Sequence, residues 1–442
     1  MKLFRDCEGF HRRDFLKIGA AGALGLTLPQ ILQLEALAKR NRSSSKAKAD
    51  AVILVWQAGG PSHLDTWDPK PDAPEGIRGE YKPINTSAKG VQISEHLPKI
   101  AKVADKISIV RSLYHTIPSH GTATVWMTTG NKPTPALQYP ALGSITAKML
   151  STTPGAPPFV SFGQMRRGTG LAGYLGTAYN PFIIEGRAST RKGRASSMRV
   201  RGIQLPNGFT LEQLKDRDEL RKGFEKTFRQ LDKEADLIDG MDAYHRQALE
   251  ILRSDKTKKA FDLDKEKETI RNSYGLDTFG QGLLTARRLV EAGVRFVTIT
   301  TGGWDTHNQN FDRLKKRNLP PLDRSVSALI NDLSQRGMLD RTVVMVAGEF
   351  GRTPKVNKKS GRDHWARSMA MMIAGGGFKQ GYVHGSTDNN GMAPATQACR
   401  PDDVAATLFH QLGIDPKAEL MTPSNRPIQL FREGTVIEKL IS

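Results

Sequence analysis

Two short apolar runs in the C-terminal half constrain this chain most, because each reads as a strand and each ends in side chains able to hold a cation. The first, Val294-Arg295-Phe296-Val297-Thr298-Ile299-Thr300, runs into Gly302-Gly303-Trp304-Asp305-Thr306-His307. The second, Thr342-Val343-Val344-Met345-Val346, runs into Gly348-Glu349-Phe350-Gly351-Arg352, with Arg362-Asp363-His364-Trp365 shortly after. In open α/β sheets, ligands collect beyond the carboxyl ends of the strands. Carboxylates and imidazoles converging there are suited to Zn, Mn or a similar cation.

The spacing around these runs predicts the fold class. A helix is expected over about Gly280–Ala292, and another over Pro321–Arg336, where Leu322, Val326, Leu329, Ile330 and Leu333 form one apolar stripe. Gly337 stops the second helix just before the strand at Thr342. Met369–Ile373 and Val404–Leu412 continue the alternation. Helices alternating with strands give α/β with a mainly parallel sheet.

Upstream, Ala51–Trp56 reads as a buried first strand that ends in Gln57-Ala58-Gly59-Gly60-Pro61-Ser62-His63-Leu64-Asp65. A helix around Leu97–Asp105 and a strand at Ile107–Val110 follow. Pro118-Ser119-His120-Gly121-Thr122 opens a helix ending near Thr129-Gly130, with a further helix over Ala141–Leu150 and a strand at Phe159–Phe162. Residues 185–205 scatter Arg187, Arg191, Lys192, Arg194, Arg199 and Arg201 among small residues, which reads as a surface loop. Leu211 to about Lys267 is highly charged with helical periodicity, so an inserted basic loop and helical subdomain are expected at about 185–267.

The first 38 residues read as an export address. His11-Arg12-Arg13-Asp14-Phe15-Leu16-Lys17 puts a twin arginine before a Gly/Ala-rich apolar run, and Ala36-Leu37-Ala38 offers a cleavage site. This is the twin-arginine pattern read by the export machinery. The apolar run is broken by Gly, Thr, Pro and Gln, which suits it poorly to spanning a membrane. Residues 39–50 read as a basic linker. Cleavage would remove Cys7 and leave Cys399 alone, so no internal disulfide would remain. The first 38 residues hold five Lys/Arg and four Asp/Glu, so 19 of the 20 net positive charges stay with the rest. A basic exported protein meets anionic partners, among them polysaccharide, cell wall and lipid head groups. No zinc-finger, helix-turn-helix or aromatic RNA-binding pattern is present, so nucleic acid is not an expected partner.

The stretch Leu322–Gly351 and the later Arg400-Pro401-Asp402-Asp403-Val404 … Leu412-Gly413-Ile414 resemble the alkaline phosphatase and sulfatase superfamily. More closely, Gly59-Gly60-Pro61-Ser62-His63, Gly302–His307 and Gly348-Glu349-Phe350-Gly351-Arg352-Thr353-Pro354 resemble an exported bacterial domain-of-unknown-function family placed in that superfamily. The resemblance covers nearly everything after residue 50 and implies an alkaline-phosphatase-like sandwich over residues 51–436.

It also implies a divalent metal, whether Zn, Mn or Ca, and a site. Asp305 falls on a superfamily metal ligand. His307, two residues on, shares its face in extended backbone and can reach the same cation. Glu349 stands where the superfamily has Asp, and Phe350 where it has His or Asn, so one of two metal sites would lose a ligand. His364 can replace the late metal-binding His. Asp65 or His63 is the ligand expected from the first strand's loop. Arg352 suits two oxygens of a phosphate or sulfate. Counting ten residues back from Gly130, where sulfatases place their attacking Cys or Ser, lands on His120. Formylglycine chemistry is therefore excluded, and Ser119, His120 and Thr122 form the pool for attack. His120 can also serve as a ligand, and activated water can replace a protein nucleophile.

These readings favour an exported metal-dependent hydrolase of phosphate or sulfate esters acting on an anionic small molecule, polysaccharide or conjugate. A non-catalytic metal-containing or basic binding protein of the cell envelope on the same fold is the competing class.

Overall fold

A computed structural model describes residues 47–151, 153, 155–163, 165, 168–187, 197–200 and 254–442. The export segment at 1–38, most of the linker and most of the expected helical subdomain lie outside the described residues. The end of the linker is docked rather than loose. Ala49 is buried, and Asp50 pairs with Arg341 at 2.5 Å.

Nine strands form the central sheet: β1 (Ala51–Gln57), β2 (Ile107–Leu113), β3 (Phe159–Phe162), β4 (Phe182–Arg187), β5 (Ser197–Val200), β6 (Phe296–Thr301), β7 (Thr342–Ala347), β8 (Met369–Ala374) and β9 (Tyr382–His384). Their order across the sheet is β9-β2-β8-β7-β1-β6-β3-β4-β5. β1 lies between β6 and β7 and is parallel to both, with Val52 opposite Phe296 and Val343. β3 and β4 extend the parallel run. β8 is antiparallel to both neighbours, β7 and β2. No helix lies between β7 and β8, so the chain re-enters the sheet from the end it left, and an antiparallel pairing results. β5 closes the far edge as an antiparallel partner of β4. Residues 185–187 and 197–200, within the loop expected at 185–205, are thus in strands. The apolar Phe182-Ile183-Ile184 can extend the sheet beside β3.

Among the described residues, five helices of two turns or more cover the faces: α1 (His120–Thr129), α2 (Leu142–Met149), α3 (Thr278–Glu291), α4 (Leu319–Gln335) and α5 (Pro401–Gln411). Strand side chains alternate between faces. Ile53, Val55, Val297, Val344 and Val346 meet the buried stripe Leu322, Val326, Leu329, Ile330 and Leu333 of α4. Val52, Leu54, Phe296 and Met345 meet Val404, Leu408 and Phe409 of α5. Each such side chain removed from water stabilises the fold by about 1.5–3 kcal/mol. The expected helix at Leu97–Asp105 is only one turn, Pro98–Ala101, followed by a tight turn at Ala104–Lys106.

The consequence for function is geometric. β7, β1 and β6 are adjacent and parallel, so the loops after Ala347, Gln57 and Thr301 leave the sheet side by side, on strands about 4.8 Å apart. β2 runs the same way and leads through Pro118 into the first turn of α1.

Candidate metal centre

Local sequence brings the groups together. Gly351–Arg352 pairs antiparallel with His364–Trp365, which sets Arg352 opposite His364. The 304–310 and 357–364 loops are zipped by backbone bonds, Gln309 N to Lys359 O at 3.0 Å, Asn310 N to Ser360 O at 2.8 Å and Arg362 N to Thr306 O at 3.1 Å. The glycines make close approach possible. A methyl group on Gly59, whose φ is +122°, would sit 2.3 Å from the Asp305 nitrogen, and one on Gly361 would sit 2.0 Å from the His307 carbonyl oxygen. Gly59→Ala is therefore expected to cost at least about 1–3 kcal/mol and to displace Asp305. Thermal unfolding together with cation content measures both effects.

Four side chains converge. His307 Nε2 lies 3.0 Å from His364 Nε2, and both lie close to Asp305 Oδ1, at 3.1 and 3.2 Å. His120 Nε2 lies 3.3 Å from the other oxygen, Asp305 Oδ2. Ligand atoms of His120, Asp305 and His364 all fall within 4.8 Å of one another, while His307 meets that group through Asp305 and His364.

The far nitrogen of each ring fixes its tautomer, because each meets a group that only accepts. His120 Nδ1 donates to Glu349 Oε1 at 2.6 Å. His307 Nδ1 donates to Asp363 Oδ1 at 2.6 Å. His364 Nδ1 donates to the Pro118 carbonyl at 2.9 Å. In the neutral rings, three Nε2 lone pairs therefore point toward one carboxylate. Four acceptors facing one another repel unless a cation or added protons sit among them. Two nitrogens on one tetrahedral Zn stand about 3.3 Å apart, close to the separation of His307 and His364. The donor set therefore fits a divalent cation.

Electrostatics agree with this set. Burial alone would raise the Asp305 pKa, but the Arg352 guanidinium outweighs it and holds the carboxylate at about 2. Burial lowers the His364 pKa, which favours its neutral, ligating form. The hydrogen bond to Glu349 raises the His120 pKa. Without a cation, a proton on His120 can face Asp305 Oδ2; a cation would compete with that proton.

Among the described residues, Glu349 and Phe350 build no second set of ligands. Phe350 is fully buried, and its ring packs 4.9 Å from His120 and 4.5 Å from His364. Glu349 Oε1 accepts from His120 and, at 2.9 Å, from the Gly59 amide. Its Oε2 is buried and has no hydrogen-bond partner among the described residues. The geometry of Glu349 thus orients His120 instead of placing a ligand in the cluster.

Three other expectations are placed elsewhere. Asp65 is fully buried, with Arg362 on both its oxygens at 2.7 and 3.1 Å and Asn310 at 2.8 Å. His63 is also buried, and its Nε2 meets the Gly391 carbonyl at 2.9 Å. Neither is among the converging ligands, because both are saturated or enclosed by the loops they brace. Arg352 is fully buried too. Its fork serves Gly60 O at 2.8 Å, Arg362 O at 3.0 Å, Gly59 O, and Asp305 Oδ1 at 2.5 Å, so it is not open to an anion. Ser119 and Thr122 are exposed on the first turn of α1, while His120 turns into the cluster.

The Pro118 carbonyl on His364 and the Asp65–Arg362 pair lay beyond the sequence reading, and Asp363 orients His307 rather than its neighbour His364. The adjacency in Arg362-Asp363-His364 was the available signal, since a residue beside a ligand often orients one.

No curated protein matches the chain. Solved structures similar to it include the sulfatase PsFucS1 from Pseudoalteromonas sp., at 12% identity over 90% of this chain and 74% of that one, with a TM-score of 0.37. The lipoteichoic acid synthase LtaP from Listeria monocytogenes is similar at 10% identity over 89% and 76%, with a TM-score of 0.37. A TAB5 alkaline phosphatase variant with Mg bound is similar at 10% identity over 84% and 99%, with a TM-score of 0.34. A family model matches residues 49–441, nearly all of the described fold, and the chain belongs to the family of proteins of unknown function DUF1501.

Proposed function

We propose that this protein is a metal-dependent hydrolase of phosphate or sulfate esters, with one cation held by Asp305, His307, His364 and His120. The observation that carries the reading is the convergence of three imidazole lone pairs on Asp305, each ring fixed from behind by a separate acceptor. Such backing is how ligating histidines are oriented and made more basic. Three nitrogens and one carboxylate favour Zn or Mn over Ca, which prefers an all-oxygen shell.

When bound, such a cation polarises an ester oxygen and lowers the pKa of water. The chain's own groups do the rest. Arg352 positions Asp305 by pinning both it and the Gly59-Gly60 loop. Glu349 holds His120, and Asp363 holds His307. The N-terminus of α1, where His120 sits, presents helix N–H groups that favour an anionic ester. Ser119 and Thr122, exposed one turn apart there, contribute hydroxyls at the entrance.

The test is turnover of phosphate and sulfate ester panels by protein loaded with Zn or Mn, beside Asp305→Ala. Hydrolysis that disappears in the variant is the expected result. Absence of turnover on every ester, with the cation retained, favours the competing reading. Buried Phe350 and the closed Arg352 fork support that alternative, a metal-containing binding protein of the envelope. The twin arginine at Arg12-Arg13 supports export by that machinery to the periplasm or cell envelope. Among the described residues no helix is long and apolar enough to cross a membrane.

A further inference from the structure

The cation centre sits beyond the carboxyl ends of β1, β6 and β7, and the chain enters the fold at the opposite end of the sheet. Lys48 precedes β1 by three residues, Arg295 and Arg341 stand immediately before β6 and β7, and Lys106 stands immediately before β2. β8 runs the other way, so its last residues lie at the same end. They lead to Lys379, whose amide donates to the Leu440 carbonyl at 3.0 Å, beside exposed Lys439. Backbone bonds tie the entering chain to this end. The Lys48 and Ala49 amides both donate to the Gln411 carbonyl, at 2.8 and 2.9 Å, and the Asp50 amide donates to Arg341 O at 2.8 Å. The Lys48 side chain is exposed.

Two of the acids here are already taken, Asp50 by Arg341 at 2.5 Å and Asp105 by Lys106 at 2.9 Å, while exposed Asp340 and Glu438 stand among the cations. By itself this end is mildly basic. The sequence that enters it supplies the excess. Lys39, Arg40, Arg42, Lys46 and Lys48 put five cations into ten residues, with no acid between Glu35 and Asp50. In the export reading these residues adjoin the apolar run that meets the membrane. A cluster of about four to eight Lys/Arg beside such a segment matches an anionic lipid surface. Residues 39–50 contain no aromatic side chain on which a base could stack, so a lipid surface fits them better than nucleic acid does.

We propose that residues 39–48, together with the sheet end they enter, dock on an anionic phospholipid bilayer and hold the cation centre on the far side, facing away from it. β1 spans seven residues, so the centre stands roughly 23 Å from the docked end. Docking requires nothing of the cation and is independent of the hydrolase reading. Its consequence for that reading is that the centre meets esters arriving from the solvent, not those in the bilayer on which the chain sits.

Co-sedimentation with vesicles of the chain from Lys39 onward, which holds every described residue, tests this. One vesicle set is equal parts phosphatidylglycerol and phosphatidylcholine, the other phosphatidylcholine alone. Sedimentation with the anionic set only is expected, and it should weaken as salt rises because exposed charges are screened. Lys39→Ser/Arg40→Ser/Arg42→Ser/Lys46→Ser is expected to weaken partitioning by about a hundredfold or more, with an unchanged melting temperature. Lys355→Ser/Lys358→Ser/Lys359→Ser removes exposed charge beside the cation centre and should leave partitioning within about threefold of native. Asp305→Ala/His364→Ala is expected to sediment as the native chain does, so a failed hydrolase reading leaves this result standing. Equal binding to both vesicle sets, native partitioning in the 39–46 variant, or as large a loss in the 355–359 variant would each overturn the proposal. So would a single-stranded oligonucleotide that strips the protein from the anionic vesicles at matched phosphate concentration.

Discussion

Arg362→Leu is expected to lower stability by about 3–5 kcal/mol, the cost of leaving a buried charge without its partner. Asp65 and Arg362 are both fully enclosed. Arg362 sends Nε and Nη2 to the two Asp65 oxygens, Nη1 to Thr353 O at 3.2 Å and to Pro354 O, and Nη2 also to Ile77 O at 2.9 Å. Asp65 also takes Ser62 Oγ at 2.6 Å and Asn310 Nδ2 at 2.8 Å. Removing the guanidinium therefore strands a carboxylate and several carbonyls at once. Total stabilities of about 5–15 kcal/mol make that a large fraction. Equilibrium urea unfolding measures the loss.

A double-mutant cycle separates this pair from simple loss of packing. Asp65→Leu/Arg362→Leu removes both charges, so its cost should fall well below the sum of the single changes. Additive losses would show that the two residues do not act as a pair. The pair also bears on the cation, because Arg362 precedes Asp363 and His364 and its amide binds Thr306 O. The single variant should therefore lose cation affinity as well as stability.

Much of the fold was legible because its signals are local. The stripe on α4 and the stop at Gly337 depend on residues a few positions apart, and the helix ends at Gln335 as that spacing requires. The apolar runs that became β1, β6 and β7 were equally readable, as was the helix from His120 to Gly130. β8 differed in direction because direction depends on where the preceding chain travels, which no window of sequence records.

The site was legible in residue type and less so in role. Asp305, His307 and His364 come together as proposed ligands because each follows a strand end or a short pairing. Arg352 reads as an anion clamp from its position alone. In space, carbonyls of Gly59 and Gly60, nearly three hundred residues away in sequence, consume its donors. Asp65 reads as a ligand for the same reason, while its partner Arg362 lies 297 positions on. Which acceptor a donor finds is a long-range property, and a single sequence does not carry it.

The second large effect concerns the cation itself. Asp305 touches His307, His364, His120 and Arg352, and His364 is tied to the Pro118 carbonyl at the start of α1. Removing both Asp305 and His364 leaves His120 and His307 facing an emptied centre, with no carboxylate to balance the charge. Loss of a single orienting group commonly weakens metal affinity by about 10–100-fold, so loss of two ligands should abolish stoichiometric binding. The Asp65–Arg362 brace is untouched by these changes, so the fold should persist, and circular dichroism checks that. The decisive measurement is elemental analysis of the purified protein after supplementation with Zn and Mn, beside Asp305→Ala/His364→Ala. One equivalent of Zn or Mn in the native chain and none in the folded double variant is the predicted result. No bound metal in either protein, or equal metal in both, would contradict the assignment of this cluster as a metal centre.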